Sequence, residues 1–184
     1  MGRSKQLLPL GDRPVIRHCV ETLILAGLED IVVVVGAEEE GVCVVLEGLP
    51  VKYARNGKPD SEMAESVRIG LGEVEASSTG VLVFLSDHPL IRPDTVRSLV
   101  VTHEAKADII IIPIYNGRRG HPTLFPAGVI KEIFSRTSLR DIIGAYPEKV
   151  FFLDVEDAGV ALDMDTEEDY REIVLSYQKR LPER

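Results

Sequence analysis

The sequence predicts a three-layer α/β domain built on a mostly parallel sheet. Strand-like and helix-like segments alternate almost throughout, and two of the strand-like segments are continuous apolar runs. Alternating elements call for parallel strands joined by crossover helices, and continuous runs mark strands covered on both faces. Length sets the scale: 184 residues supply one substantial core, and no linker, repeat or low-complexity tract divides them. Residues 1–184 therefore read as a single domain.

Each element has its own warrant. Pro14 suits the start of a helix, and Val15, Ile16, Cys19, Val20, Leu23 and Ile24 recur at helical spacing until Gly27. Ile31-Val32-Val33-Val34-Val35 is a β-branched strand closed by Gly36. Residues 38–46 read as a helix weakened by Gly41 and three valines, 51–53 as a short strand, 56–62 as a polar loop and 63–73 as a helix. Val81-Leu82-Val83-Phe84-Leu85 is the second buried strand, with Ser86-Asp87-His88-Pro89 directly behind it. A helix over 93–106 and a strand over 108–112 follow. The Asn-Gly centre of Tyr115-Asn116-Gly117-Arg118 then marks a hairpin turn. Short helices over 129–134 and Leu139–Ala145 and a strand over 150–153 lead to a last helix, capped by Thr166 and running through Lys179.

Composition narrows the function classes. The chain is 45% hydrophobic and 28% charged, ordinary for a soluble globular protein. No apolar run approaches the roughly 20 residues of a membrane span. The basic start Met1-Gly2-Arg3-Ser4-Lys5-Gln6 is followed by a stretch broken at Pro9, Gly11 and Asp12, unlike a signal peptide. Cys19 and Cys43 sit in apolar helical patterns and read as core thiols of a reducing, cytoplasmic compartment. A net charge of −9 argues against nucleic acid as the main partner. A triphosphate remains possible where positive charge is gathered locally.

In parallel sheets ligands bind beyond the carboxyl ends of the strands, so the residues after each strand matter most. Asp87 stands behind the second apolar run, where a carboxylate can hold Mg²⁺ against phosphate oxygens; the alternative is an acid in an ordinary β-to-α turn. His88 reads as a turn residue rather than a base. Asp163 and Asp165 follow Val160-Ala161-Leu162 and offer either a second metal contact or helix-capping acids. Lys5, with Arg3, could neutralise charge on a phosphoryl group or belong to a frayed terminus. Arg118 and Arg119 between glycines point to an anion, since guanidinium matches phosphate in a bidentate manner. His121 could donate to an acceptor phosphate or cap its loop. There is no G-x-x-x-x-G-K-[ST] loop, no G-x-S-x-G elbow and no H-E-x-x-H spacing, which excludes P-loop, serine-hydrolase and zincin chemistry.

Six segments, in order along nearly the whole chain, resemble the molybdenum cofactor cytidylyltransferases and their relatives, the MobA-like NTP transferases. They are the segment from Met1 to Pro14, Ala26-Gly27-Leu28 with the valine strand, and Asn56 with the helix from Met63. The other three are Ser86-Asp87-His88-Pro89-Leu90, Gly117-Arg118-Arg119-Gly120-His121-Pro122, and the close from Asp163 to Asp169. The resemblance implies a nucleotide-diphospho-sugar-transferase-like (Rossmann-like) fold and a magnesium-dependent nucleotidyltransferase. Lys5 and Arg3 would contact the triphosphate. Asp87 and Asp165, with Asp163 as a further candidate, would bind Mg²⁺. Asn56 and Ser66 would hold the nucleotide, and Arg118, Arg119, Gly120 and His121 would lie at the acceptor. CMP or GMP would pass from CTP or GTP to the phosphate of a molybdopterin-type acceptor, destined for a molybdoenzyme.

Two departures qualify that picture. The family places a strand and an L-A-A-G-x-S-x-R stretch before Met-Gly, so a central strand and a loop, about 10 residues, are expected to be missing. Either Met1 is an internal methionine taken as the start, or the domain is amino-terminally truncated and expected to be inactive. In addition, Glu62-Met63 stands where the family tends to have Gly-Met. Two other functions share these residues: transfer to a sugar phosphate or methylerythritol phosphate, and non-catalytic delivery of the cofactor.

Overall fold

A computed structural model describes residues 4–37, 39–58 and 61–180. The chain opens with a 3-10 turn (Lys5–Leu7) and a small antiparallel ribbon of β1 (Pro9–Leu10) and β2 (Arg13–Pro14). Next come α1 (Val15–Leu25), β3 (Val32–Val35), α2 (Glu39–Val45), β4 (Lys52–Arg55), α3 (Met63–Leu71) and β5 (Gly80–Val83). After α4 (Pro93–Ala105) come β6 (Ile110–Tyr115), β7 (Arg118–Arg119), β8 (Thr123–Pro126), α5 (Ala127–Ile130) and α6 (Leu139–Ala145). β9 (Val150–Asp154) and α7 (Glu167–Arg180) complete it. None of the helices among the described residues is long and apolar enough to cross a membrane.

Helices cover both faces of the sheet, which makes three layers. α1 packs with α2 and α4 on one side; α3 and α5 meet through the 3-10 turn Lys131–Phe134, with α6 against α5, on the other. The period of two along a strand divides β6 between the layers. Ile110 and Ile112 enter a cluster with Phe125, Ile130 and Ile142, while Ile111 joins Leu99 and Leu124 beneath α4. Val33 and Val35 of β3 likewise pack with Ile16, Val20 and Leu46.

Parallel pairs are β3 with β4 and β6 with β9. β8, which the sequence reading left without an element, lies antiparallel between β5 and β6 and makes this part of the sheet mixed. Prolines at both ends of Thr123-Leu124-Phe125 disguise it. Pro122 precedes the strand, and Pro126 stands at its last register position opposite Gly80. All four β8 residues are buried.

β5 differs from its expectation too. It ends at Val83 rather than 85, and its residues are only half-buried. Among the described residues β3 pairs only with β4 and β5 only with β8. Between β3 and β5 runs a slot of about 510 Å³, walled by both strands and by α1 and α3.

Candidate active site

The turns behind β4, β5 and β6 and the segment that follows β9 carry most of the residues singled out in the sequence. Behind β5 the chain turns through Ser86 and Asp87, held from below by the buried Cys19, whose Sγ donates to the Ser86 carbonyl at 3.6 Å. His88 is only 4% exposed, and its Nδ1 lies 2.7 Å from Asp87 Oδ1. The second Asp87 oxygen keeps no hydrogen-bond partner among the described residues. Burial pushes the Asp87 carboxyl up. The His88 hydrogen bond and charge outweigh it, aided by His121, and hold it below the ordinary carboxylate value. Asp87 is thus an anion at neutral pH.

The His121 ring meets the His88 ring edge-on at 5.1 Å. Burial and the neighbouring His88 lower its pKa, against the opposing pull of Asp87 and Asp163, so His121 is neutral at pH 7. Its Nδ1 is buried with no hydrogen-bond partner among the described residues. The backbone fixes this ring. His121 N–H donates to the Val160 carbonyl at 2.8 Å, and Gly120 N–H to the Pro113 carbonyl at 2.8 Å. A Cβ on Gly120 would lie 2.3 Å from the Val160 oxygen, so only glycine fits.

Val160 is itself anchored by a residue the sequence reading missed. Asp157, 1% exposed, accepts from Arg92 N–H at 2.8 Å, Thr95 Oγ1 at 2.7 Å and Gly159 N–H at 3.0 Å. An aspartate two residues before a glycine was the only signal available, and its partners Arg92 and Thr95 lie more than 60 positions away.

Beyond this turn the chain is extended. Met164 is fully buried, while Asp163 and Asp165 on either side are exposed. Thr166 and Asp169 form a reciprocal cap for α7: Asp169 N–H donates to Thr166 Oγ1 at 3.2 Å, and Thr166 N–H to Asp169 Oδ2 at 2.7 Å. The expected capping by Thr166 therefore leaves both Asp163 and Asp165 free of it. Lys5 reaches across 160 positions to Asp165, Nζ to Oδ1 3.1 Å. Arg3 lies outside the described residues.

On the other flank Asn56, buried at the end of β4, donates through Nδ2 to Ser66 Oγ at 3.0 Å and to Ser61 Oγ at 2.6 Å. Lys58 N–H donates to Asn56 Oδ1 at 3.0 Å. The pair proposed for the nucleotide side is therefore assembled.

Arg118 and Arg119 are placed differently. The expected hairpin forms, with Asn116 and Gly117 at positive φ, and both arginines lie exposed on β7 against the end of β6. Arg119 stacks over the Phe152 ring at 4.6 Å. No hydrogen bond or ion pair among the described residues links either arginine to the Asp87–His121 group.

Among the described residues no three His, Cys, Asp or Glu side chains stand together as a metal cage. Mg²⁺ and Mn²⁺ are hard cations that prefer oxygen donors. Such ions dehydrate reluctantly and take one or two carboxylates, the rest of the shell coming from water and substrate phosphate. Asp87, Asp163 and Asp165 carry oxygens of that kind, but the three do not stand together among the described residues.

The chain belongs to the MobA-like NTP transferase domain family, whose model matches residues 1–150, and it is a nucleotidyltransferase. It is 29% identical over 180 residues to the nicotine blue oxidoreductase of Paenarthrobacter nicotinovorans, covering 91% of this chain and 87% of that protein. It is 31% identical over 124 residues to the 2-C-methyl-D-erythritol 4-phosphate cytidylyltransferase of Chlamydia caviae, 66% of this chain and 55% of the relative. The match to the bifunctional protein GlmU of Symbiobacterium thermophilum, 34% identical, covers 54% of this chain and only 21% of that protein. Among solved structures, Rv0371c of Mycobacterium tuberculosis superposes with a TM-score of 0.83 at 26% identity, covering 95% of this chain and 90% of that one. Its complex with manganese superposes at 0.77, with 27% identity, covering 95% and 93%.

Proposed function

We propose that this chain transfers CMP or GMP from CTP or GTP to the phosphate of a molybdopterin-type acceptor. The observation that supports this reading is the contact of Lys5 with Asp165, together with the group of Asp87, His88 and His121 behind β5. An oxygen of the acceptor's terminal phosphate attacks the α-phosphorus, a new P–O bond forms, the bond to the β-phosphate breaks, and pyrophosphate leaves. Two anions must approach each other, so neutralisation and alignment are the catalytic task, and no protein nucleophile is required.

Lys5 holds the triphosphate once its bond to Asp165 is exchanged for phosphate oxygens. Asp87 and Asp165, with Asp163 as a further ligand, hold a divalent cation, Mg²⁺ in this reading. The manganese complex of the similar Rv0371c supports a divalent ion. When bound, the cation supplies charge for the phosphate oxygens. Asn56 and Ser66 hold the sugar and base. Gly120 and His121 lie near the acceptor phosphate, and exposed Arg118 and Arg119 draw that anion toward the rim. The product would pass to a molybdoenzyme in the cytoplasm.

Pyrophosphate release, measured for each NTP against molybdopterin, a hexose 1-phosphate and methylerythritol phosphate, tests the reading. Release confined to the molybdopterin arm supports it. Release with either other acceptor replaces the acceptor, and molybdopterin binding without turnover would favour a delivery role. Because the chain is similar over 91% of its length to a nicotine blue oxidoreductase, turnover of nicotine blue is followed in parallel.

A further inference from the structure

The Asp157 side chain is wholly buried, and its two oxygens hold two different segments. Oδ2 accepts from Arg92 N–H at 2.8 Å and from Thr95 Oγ1 at 2.7 Å, both at the start of α4. It thereby fixes the chain that runs from Asp87 through His88, Pro89 and Leu90 into that helix. Oδ1 accepts from Gly159 N–H at 3.0 Å and so holds the 3-10 turn Ala158–Ala161. The guanidinium groups of Arg92 and Arg180 stand 3.7 Å from the same oxygen. A carboxylate is kept in a protein interior only where pairing and hydrogen bonds offset its lost hydration.

The turn touches both halves of the site. A Cβ on Gly159 would lie 2.2 Å from the Leu90 carbonyl oxygen, and one on Gly120 would lie 2.3 Å from the Val160 oxygen. Backbone therefore meets backbone on either side of it. The Val160 carbonyl, inside the turn, accepts His121 N–H at 2.8 Å. The ladder between β5 and β8 ends at the Val83–Thr123 pair. Asp87 and His121 both lie beyond that end, where the turn rather than the sheet sets their spacing.

We propose that Asp157 is a positioning residue of this site: by holding the turn Ala158–Ala161 it sets where the His121 ring stands against His88 and Asp87. It acts through the Val160 carbonyl and meets no reacting atom. Only the placing of an acceptor at His121 rests on the transfer reaction proposed above; the tie itself belongs to the geometry of the chain.

Asp157→Asn separates the two ties. Its one oxygen serves Arg92 N–H and Thr95, and its NH2 then faces Gly159 N–H, donor against donor. Thr95→Val is the matched control, because it weakens the α4 side and leaves the turn in place. Both variants should melt below the wild type, since each loses a buried hydrogen bond. NMR of the free protein with labelled histidine reads the ring pair, whose centroids are 5.1 Å apart. The cross-peak between His88 and His121 should be lost in Asp157→Asn and kept in Thr95→Val. With molybdopterin as acceptor, its KM should rise roughly 10–10²-fold in Asp157→Asn, the scale of a misplaced contact, while the KM for the nucleotide holds. Thr95→Val should keep both values. A cross-peak retained in Asp157→Asn, or lost equally in Thr95→Val, would overturn the proposal. A lost cross-peak with an unchanged molybdopterin KM upholds the positioning of His121 and takes the acceptor away from it, so the transfer reading is then what fails. Should Asp157→Asn not fold, amide exchange of the wild type decides. His121 N–H should open in the same step as Gly159 N–H, and a His121 N–H still protected after Gly159 has exchanged would overturn the proposal.

Discussion

Replacing Gly120 with alanine isolates the part of the site fixed by backbone. The added Cβ would lie 2.3 Å from the Val160 oxygen, 2.7 Å from its carbonyl carbon and 2.8 Å from its Cβ. None of these atoms can rotate aside, so one of the two segments must move. Overpacking of this kind costs about 1–3 kcal/mol. Separating the segments also sacrifices the hydrogen bond from His121 N–H to the Val160 carbonyl, about 1 kcal/mol more. For a chain of this size a sum of about 2–4 kcal/mol lowers Tm by roughly 5–15 °C. The His121 ring moves with its backbone, so the KM for the acceptor should rise while the KM for the nucleotide changes little. Gly128→Ala is the control. Nothing lies within 4 Å of a Cβ there, and in helix α5 the change should be neutral or stabilising by up to about 1 kcal/mol. Calorimetry and steady-state kinetics of the two variants suffice. A Gly120→Ala protein that melts with the wild type and keeps its acceptor KM would refute the reasoning.

Other consequences can be checked with the same assays. Lys5→Met should barely move Tm, because the Lys5–Asp165 pair is 37% and 67% exposed and such pairs contribute about 0–1 kcal/mol. Its kcat should fall about 10²–10³-fold, the scale of a lost transition-state contact. Thr166→Ala removes the cap of α7 and should cost about 1 kcal/mol, or about 2–4 °C, by thermal denaturation. His121 has a folded pKa below its unfolded value near about 6.5, so acid protonates the unfolded chain first. Its contribution is fully present above about pH 6.5 and is lost as pH falls toward the folded value. In metal-free urea titrations His121→Gln should show a shallower loss of stability over that window, and an unchanged slope would contradict the assignment.

Much of this was legible because local chemistry and tertiary role agreed. The valine run had to be a covered strand, Asn116-Gly117 had to turn, and Thr166 had an acid three residues on to complete its cap. β8 was hidden because flanking prolines speak for a loop, while its register against β5 and β6 is a long-range matter. Asp87, Asp163 and Asp165 could be named from their positions after apolar runs. His88 could not be raised above a turn residue, since its contact with His121 joins segments more than 30 positions apart. Arg118 and Arg119 show the opposite case. Their sequence signal was strong, yet the structure sets Arg119 against Phe152, a stacking partner that no spacing rule announces.

Everything proposed for the chemistry rests on a divalent cation shared between Asp87 and the strand-end acids. Manganese binding in the presence of a non-hydrolysable NTP analogue, followed by electron paramagnetic resonance in the wild type, Asp87→Asn and Asp165→Asn, measures it directly. The account predicts one tightly bound ion in the wild type and at least about a tenfold weaker site in each variant. Equal affinity in all three proteins would contradict it.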